Sequence, residues 1–161
     1  MKNAIAYFDP AHNKYGIGGV VKFHQCSQTC VTQVYIQFKG IKPGAIHAIH
    51  IHEYGNLTEG CKSAGAHYNP YNMEHGSIMV DPTRRHVGDL INNIQGDDKG
   101  EFEFVYLDPM IQLQGPMSVI GRTVVLHAKP DDLGLGNNKE SKITGNAGDR
   151  IACSIIGIDK D

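Results

Sequence analysis

No apolar run in this chain approaches the roughly 20 residues of a membrane-crossing helix. The opening stretch offers only five weakly apolar residues, Ala4 to Phe8, before Asp9-Pro10 interrupts it. That is too short for the core of a signal peptide, so the expectation is a cytoplasmic chain with no membrane partner. A dominant charge is missing as well. Fifteen basic and 17 acidic residues leave a net charge of −2, which excludes a basic field for nucleic acid or a polybasic membrane patch and points to a small partner. Helical periodicity is absent apart from a short turn near 138–143, and there is no internal repeat, low-complexity tract or linker. The Gly16-Ile17-Gly18-Gly19 cluster lacks the following helix that a phosphate loop needs. Asn56-Leu57-Thr58 has the form of a glycosylation sequon but, without a signal peptide, reads as chance. Cysteine is scarce: 26, 30, 61 and 153 allow three connectivities, and a cytoplasmic location counts against disulfides.

What the chain does have is 19 glycines, seven prolines and many short apolar alternations, the pattern of one all-β domain over residues 1–161. Strands are predicted over 4–8, 16–24 and 31–38, the last with Thr32, Val34, Ile36 and Phe38 on one face. A strand carrying His50 follows. Segments 90–94 and 101–107 read as a hairpin across Gly96 to Gly100, with Phe102, Phe104 and Tyr106 on one face. Strands at 119–129 and 151–158 bring the count to about eight. A long Gly- and Pro-rich loop lies at 67–89 and a second, rich in Gly, Asn and charge, at 130–150, and loops of that length are usually functional or disordered.

Histidine supplies the chemistry. In His50-Ile51-His52 the period of two places both imidazoles on one face, with Ile49 and Ile51 toward the core. His67, His75, His86 and Asp89 follow in the first long loop, and His127 ends a later strand. His50, His52, His67 and His127 offer four nitrogens, suited to the tetragonal preference of copper(II). His67, His75, His86 and Asp89 offer three nitrogens and an oxygen, suited to tetrahedral zinc. Two sets of four drawn from seven residues require one shared ligand, and an imidazolate at His67 has two coordinating nitrogens. His12, His24 and His47 read as surface or hydrogen-bonded histidines.

Over residues 40–158 the sequence resembles the copper/zinc superoxide dismutases. The resemblance is carried by Ile49-His50-Ile51-His52-Glu53-Tyr54-Gly55 and by Gly145-Asn146-Ala147-Gly148-Asp149-Arg150-Ile151-Ala152-Cys153. It implies an eight-stranded antiparallel Greek-key β-sandwich or barrel of immunoglobulin-like architecture with two long functional loops, since this family is counted among the β-sandwiches. It implies one copper and one zinc ion per subunit on the two sets above. Asp131 would be the carboxylate linking a copper histidine to a zinc histidine, and Cys61–Cys153 a disulfide that this family keeps even in the cytosol. Closing a loop of about 100 residues contributes roughly 4–5 kcal/mol in the chain-entropy model. Cys26 and Cys30 have no counterpart, and a hairpin disulfide, a soft-metal pair or two inert thiols all remain open.

The implied activity is dismutation of superoxide to dioxygen and hydrogen peroxide, in antioxidant defence. Copper changes oxidation state, the bridging His67 takes up a proton in the reduced state, and Arg150 draws in the anion. The family's acidic pair and lysine are replaced by Lys139-Glu140 and Lys142-Ile143, so steering is expected from Lys139, Lys142 and Arg150. The segment from His75 to His86 is about two residues longer than usual and holds Ile78, Met79 and Val80. Ile5, Tyr7, Tyr54, Gly55, Ile120, Gly121, Ile155 and Ile158 match a two-fold interface, implying a homodimer. Neither Asp149 nor Ile151 is proline, which goes with a copper chaperone that is not strictly required. A non-enzymatic metal-binding relative would lose copper ligands, and a zinc hydrolase would need an unassigned carboxylate as general base; neither fits.

Overall fold

The computed structural model describes residues 2–26 and 31–160. Ten strands occur among them: β1 (Lys2–Phe8), β2 (Gly18–Gln25), β3 (Thr32–Lys39), β4 (Ile46–His52), β5 (Thr58–Cys61), β6 (Asn93–Gln95), β7 (Glu101–Asp108), β8 (Thr123–His127), β9 (Arg150–Ile155) and β10 (Gly157–Asp159). One short helix, α1 (Ser141–Thr144), lies in the second long loop, overlapping the turn expected near 138–143. Nine strands pair into two antiparallel sheets, β10-β1-β2-β3-β7 and β6-β4-β8-β9. This is the all-β architecture that the alternation predicts, arranged as the sandwich that the family resemblance implies. No helix of the described residues is long and apolar enough to cross a membrane.

On β3, Thr32, Val34, Ile36 and Phe38 are buried while Gln33 and Lys39 are exposed, as the period of two requires. Val34, Ile36 and Phe38 pack with Phe23, Ile49, Ile51, Leu126 and Ile156 in one core between the sheets. Burying each such side chain contributes roughly 1.5–3 kcal/mol.

Two strand assignments differ from the sequence pattern. The segment 151–158 is two strands: β9 pairs with β8, whereas β10 pairs with β1 in the other sheet. Ile156, fully buried, marks the crossing, and its N–H and carbonyl bond to Arg122 and Gly121 instead of to a sheet neighbour. Nor do 90–94 and 101–107 form a hairpin. β6 pairs with β4 and β7 with β3, so the turn 96–100 bridges the two sheets. Gly44 N–H bonds to the Gly96 carbonyl and Ile41 N–H to that of Gly100, drawing the turn toward the β3–β4 connection instead of a partner strand.

The sheet β6-β4-β8-β9 positions the chemistry. Ile49 and Ile51 face the core, so His50 and His52 face outward. In the antiparallel register His50 lies opposite Val125, which sets His127 on that same outer face, and His127 lies opposite Arg150 after a bulge at Leu126/His127. The loops 62–89 and 130–149 fold over this face and bury it: His50 is 0% and His52 1% exposed. Gly88 permits the first loop to approach, since a Cβ there would overlap the Ile51 carbonyl.

Candidate metal centre

His67 reaches β4 through a bridge to His52, and the next residue, Tyr68, donates its N–H to the Ile51 carbonyl at 2.8 Å. His75 is held by a bond from its N–H to the Lys142 carbonyl (2.9 Å), so the two loops support each other. His50, His52, His67 and His127 offer ligand atoms within 4.8 Å of one another, and so do His67, His75, His86 and Asp89. His67 belongs to both sets.

The hydrogen bonds fix which nitrogens carry protons. His52 Nδ1 donates to the Gly65 carbonyl (2.9 Å) and His127 Nδ1 to that of Gly148 (3.2 Å). Their Nε2 atoms are therefore bare, yet they lie 3.3 Å apart, lone pair toward lone pair. His50 Nε2 donates to Asp131 Oδ2 (2.6 Å), leaving Nδ1 bare. Both His50 Nδ1 and His67 Nε2 are buried without a hydrogen-bond partner. Four bare imidazole nitrogens thus converge, an arrangement that is repulsive by itself and fitted to a cation.

The second set converges on one oxygen. Asp89 Oδ2 accepts from the N–H groups of Gly76 and His86 (2.9 Å each), which turns Oδ1 toward the imidazoles. Oδ1 stands 2.9 Å from His75 Nδ1, 3.1 Å from His86 Nδ1 and 3.3 Å from His67 Nδ1. Three nitrogens and one oxygen around one point are a donor set suited to zinc.

Asp131 joins the sets, with Oδ2 on His50 and Oδ1 on His75 Nε2 (2.8 Å). Its backbone is gripped on both sides by Asn93, and Leu133 N–H (2.6 Å) and Asn92 Nδ2 (3.2 Å) also donate to its carboxylate. Gly145, in the left-handed conformation after α1, leaves space for this bridge: a Cβ there would overlap both Asp131 Oδ1 and His75 Nε2.

Burial holds the His50, His52 and His67 imidazoles below their usual range and His127 at about 4, so all four are neutral near pH 7, as ligands must be. Burial also pulls His75 down, but its bonds to Asp131 and Asp89 outweigh this and raise it to about 9. Burial alone would raise both carboxyls; bonds from His67, His75 and His86 hold Asp89 down, and bonds from His50 and His75 hold Asp131 down.

A cavity of about 470 Å³ opens over His52, His67 and His127. Arg150 lines it, half-buried, with its guanidinium held by the carbonyls of Cys61 (2.7 Å) and Gly65 (2.5 Å). Gly65 thereby accepts from both Arg150 and His52. The end of β5 is fastened to β9 by the Cys61–Cys153 disulfide. A single family covers most of these features. The family model of copper/zinc superoxide dismutase (SODC) matches residues 17–156.

The chain belongs to the copper/zinc superoxide dismutase family. It is 48% identical over 143 residues to superoxide dismutase (Cu-Zn) of Saccharomyces cerevisiae, covering 89% of this chain and 91% of that protein. The extracellular superoxide dismutase (Cu-Zn) of Drosophila melanogaster is 49% identical over 144 residues, 88% and 76% of the respective chains. A crystal structure of the clock protein EA4 superposes with a TM-score of 0.87 at 39% identity, covering 98% of this chain and 95% of that one. Membership makes the protein an oxidoreductase that dismutes superoxide, with copper and zinc as its metals.

Other positions singled out in the sequence fall as follows. Lys139 and Lys142 do not line the cavity, and Lys142 Nζ bonds to the Gly134 carbonyl at 2.6 Å. The cation that does line it with Arg150 is Lys129, and Glu140 lines it too. The one signal for it in the sequence is that Lys129 lies two residues beyond His127. Tyr7, Tyr54, Ile155 and Ile158 are exposed, and Gly55 packs on Gly121 beside Ile155. Met79 and Val80 are exposed at the tip of the longer loop. Cys26 is a free, half-buried thiol, while Cys30 lies outside the described residues.

Proposed function

We propose that His50 Nδ1 and the Nε2 atoms of His52, His67 and His127 hold copper, while the Nδ1 atoms of His67, His75 and His86 with Asp89 Oδ1 hold zinc. His67 serves both ions. The observation that carries this reading is the pair of buried, unpartnered nitrogens, His50 Nδ1 and His67 Nε2, beside two further bare imidazole nitrogens. When bound, copper supplies the one-electron change that oxidises one superoxide to dioxygen and reduces a second, with two protons, to hydrogen peroxide. Arg150 draws the anion to the cavity floor and holds it there by charge and N–H donors. His67 Nε2 is the atom at which a proton is held and given up. Asp131 fixes the rings of His50 and His75. Lys139 and Lys142 add to the positive field at longer range, a contribution that salt would screen.

The domain acts as one unit over residues 1–161 and pairs as a homodimer through the patch of Ile5, Tyr7, Tyr54, Gly55, Ile120, Gly121, Ile155 and Ile158. It works in the cytoplasm, assisted by a copper chaperone without depending on one. Metal analysis and superoxide consumption on one purified sample test the central reading. One copper and one zinc per chain with rapid consumption are expected; consumption that survives removal of copper would refute it. A monomer mass at all concentrations in light scattering would refute the dimer.

A further inference from the structure

The cavity above the metal centre is larger than a two-atom anion needs, and its walls are not uniformly polar. Its volume of about 470 Å³ lies in the range of sites for small organic ligands. One wall carries cations. Lys129 lays its stem against Gly148 and has no ion pair or hydrogen bond for its ammonium among the described residues, and Arg150 lines the same cavity. The opposite chemistry comes from α1 and its flanks: Ile143, 41% exposed, lines the cavity with Ala66 and Ala147. Glu140, the one anion in the lining, is tied to α1 by the Thr144 hydroxyl at 3.2 Å. Two cations against one anion leave the lining net positive, with an apolar side chain at position 143.

We infer that this cavity has an outer subsite for organic monoanions that carry a short apolar body, with the carboxylate toward Arg150 and Lys129 and the hydrocarbon against Ile143. Ile143 is then a specificity-determining residue. It favours anions with a hydrocarbon portion over fully hydrated inorganic ones, because the methylene groups leave water on binding while the charge keeps its partners. The inference rests on the dismutase reading only in placing the metal centre at the cavity floor.

The test is calorimetric titration of the metal-loaded protein with acetate, propanoate, butanoate and pentanoate at fixed pH and ionic strength. Each added methylene is expected to tighten binding about two- to fourfold, since a fully buried one corresponds to roughly fourfold. Ile143→Lys, at an exposed position, is expected to abolish this dependence on chain length while tightening acetate. Lys129→Met is expected to weaken all four anions by a common factor and keep the dependence. Affinity that does not change with chain length in the unaltered protein, or an unchanged dependence in Ile143→Lys, overturns the inference. Superoxide consumption is measured on the same samples. Absent consumption with the dependence intact would sink the dismutase reading and leave the subsite standing; normal consumption with no dependence would do the reverse.

Discussion

Replacing Asp131 with asparagine removes the carboxylate that joins the two ligand sets while preserving its size. Four donors aim at its two oxygens: His50 Nε2, His75 Nε2, Asn92 Nδ2 and the Leu133 N–H. An amide has only one oxygen, so its NH₂ must face donors whichever way it turns. His50 tolerates this better, because β4 fixes its backbone in a ladder with β8. His75 stands in a loop, and Asp131 and Asp89 are what orient its ring. The zinc set therefore loses more than the copper set. Outer partners of metal-bound histidines are worth 10- to 100-fold in affinity, about 1.4–2.7 kcal/mol. Competition against a chelator of known zinc affinity measures this directly. A loss in that range is expected for zinc and a smaller one for copper; zinc affinity within about twofold of the original would refute the placement of Asp131 as the orienting group.

Three further outcomes follow from the same geometry. In the metal-free protein, unfolded imidazoles protonate near pH 6.5 before the buried His50, His52, His67 and His127 do, so stability falls as pH drops below 6.5, with His127 alone contributing roughly 1.4 kcal/mol per pH unit down to about 4. His75 acts on the alkaline side: its contribution is full below 6.5 and is lost as pH rises through about 9. The urea midpoint of metal-free protein should thus peak near neutrality, and a midpoint rising toward pH 5 would contradict this. Gly145→Ala places a methyl group against Asp131 and His75 at a positive φ, and should cost about 1–3 kcal/mol in stability together with zinc affinity; thermal unfolding with and without zinc reads both. Arg85→Met strands Asp108, paired with Arg85 at 2.7 Å where both side chains are fully buried, and should cost about 3–5 kcal/mol by urea unfolding; a loss under 1 kcal/mol would show that the pair is dispensable.

The clustering of the histidine side chains was legible because their chemistry resides in residue type. Histidines at a period of two must share a face, and a cluster of imidazoles with Asp89 in one loop has few other uses. The all-β architecture was legible from the same alternation. Pairing was less so. Segments 90–94 and 101–107 have the spacing and turn residues of a hairpin, and nothing local says that Gly96 and Gly100 are held by the β3–β4 connection. The break at Ile156 is hidden too, because a buried isoleucine fits either an unbroken strand or a crossing. Arg85 has the look of one of a pair of loop arginines, and only the tertiary structure brings Asp108 to it. Lys129 does not stand out beside the denser charge at 139–142, yet the wall of the cavity is set by the end of β8.

The central claim is that one imidazole, His67, lies between two ions. Loading copper(II) at both sites and recording electron paramagnetic resonance tests it directly, since two spins joined through an imidazolate couple. A coupled-pair spectrum that reverts to two independent copper signals in His67→Ala is the expected result. Independent signals in the unaltered protein with both sites filled would contradict the shared ligand.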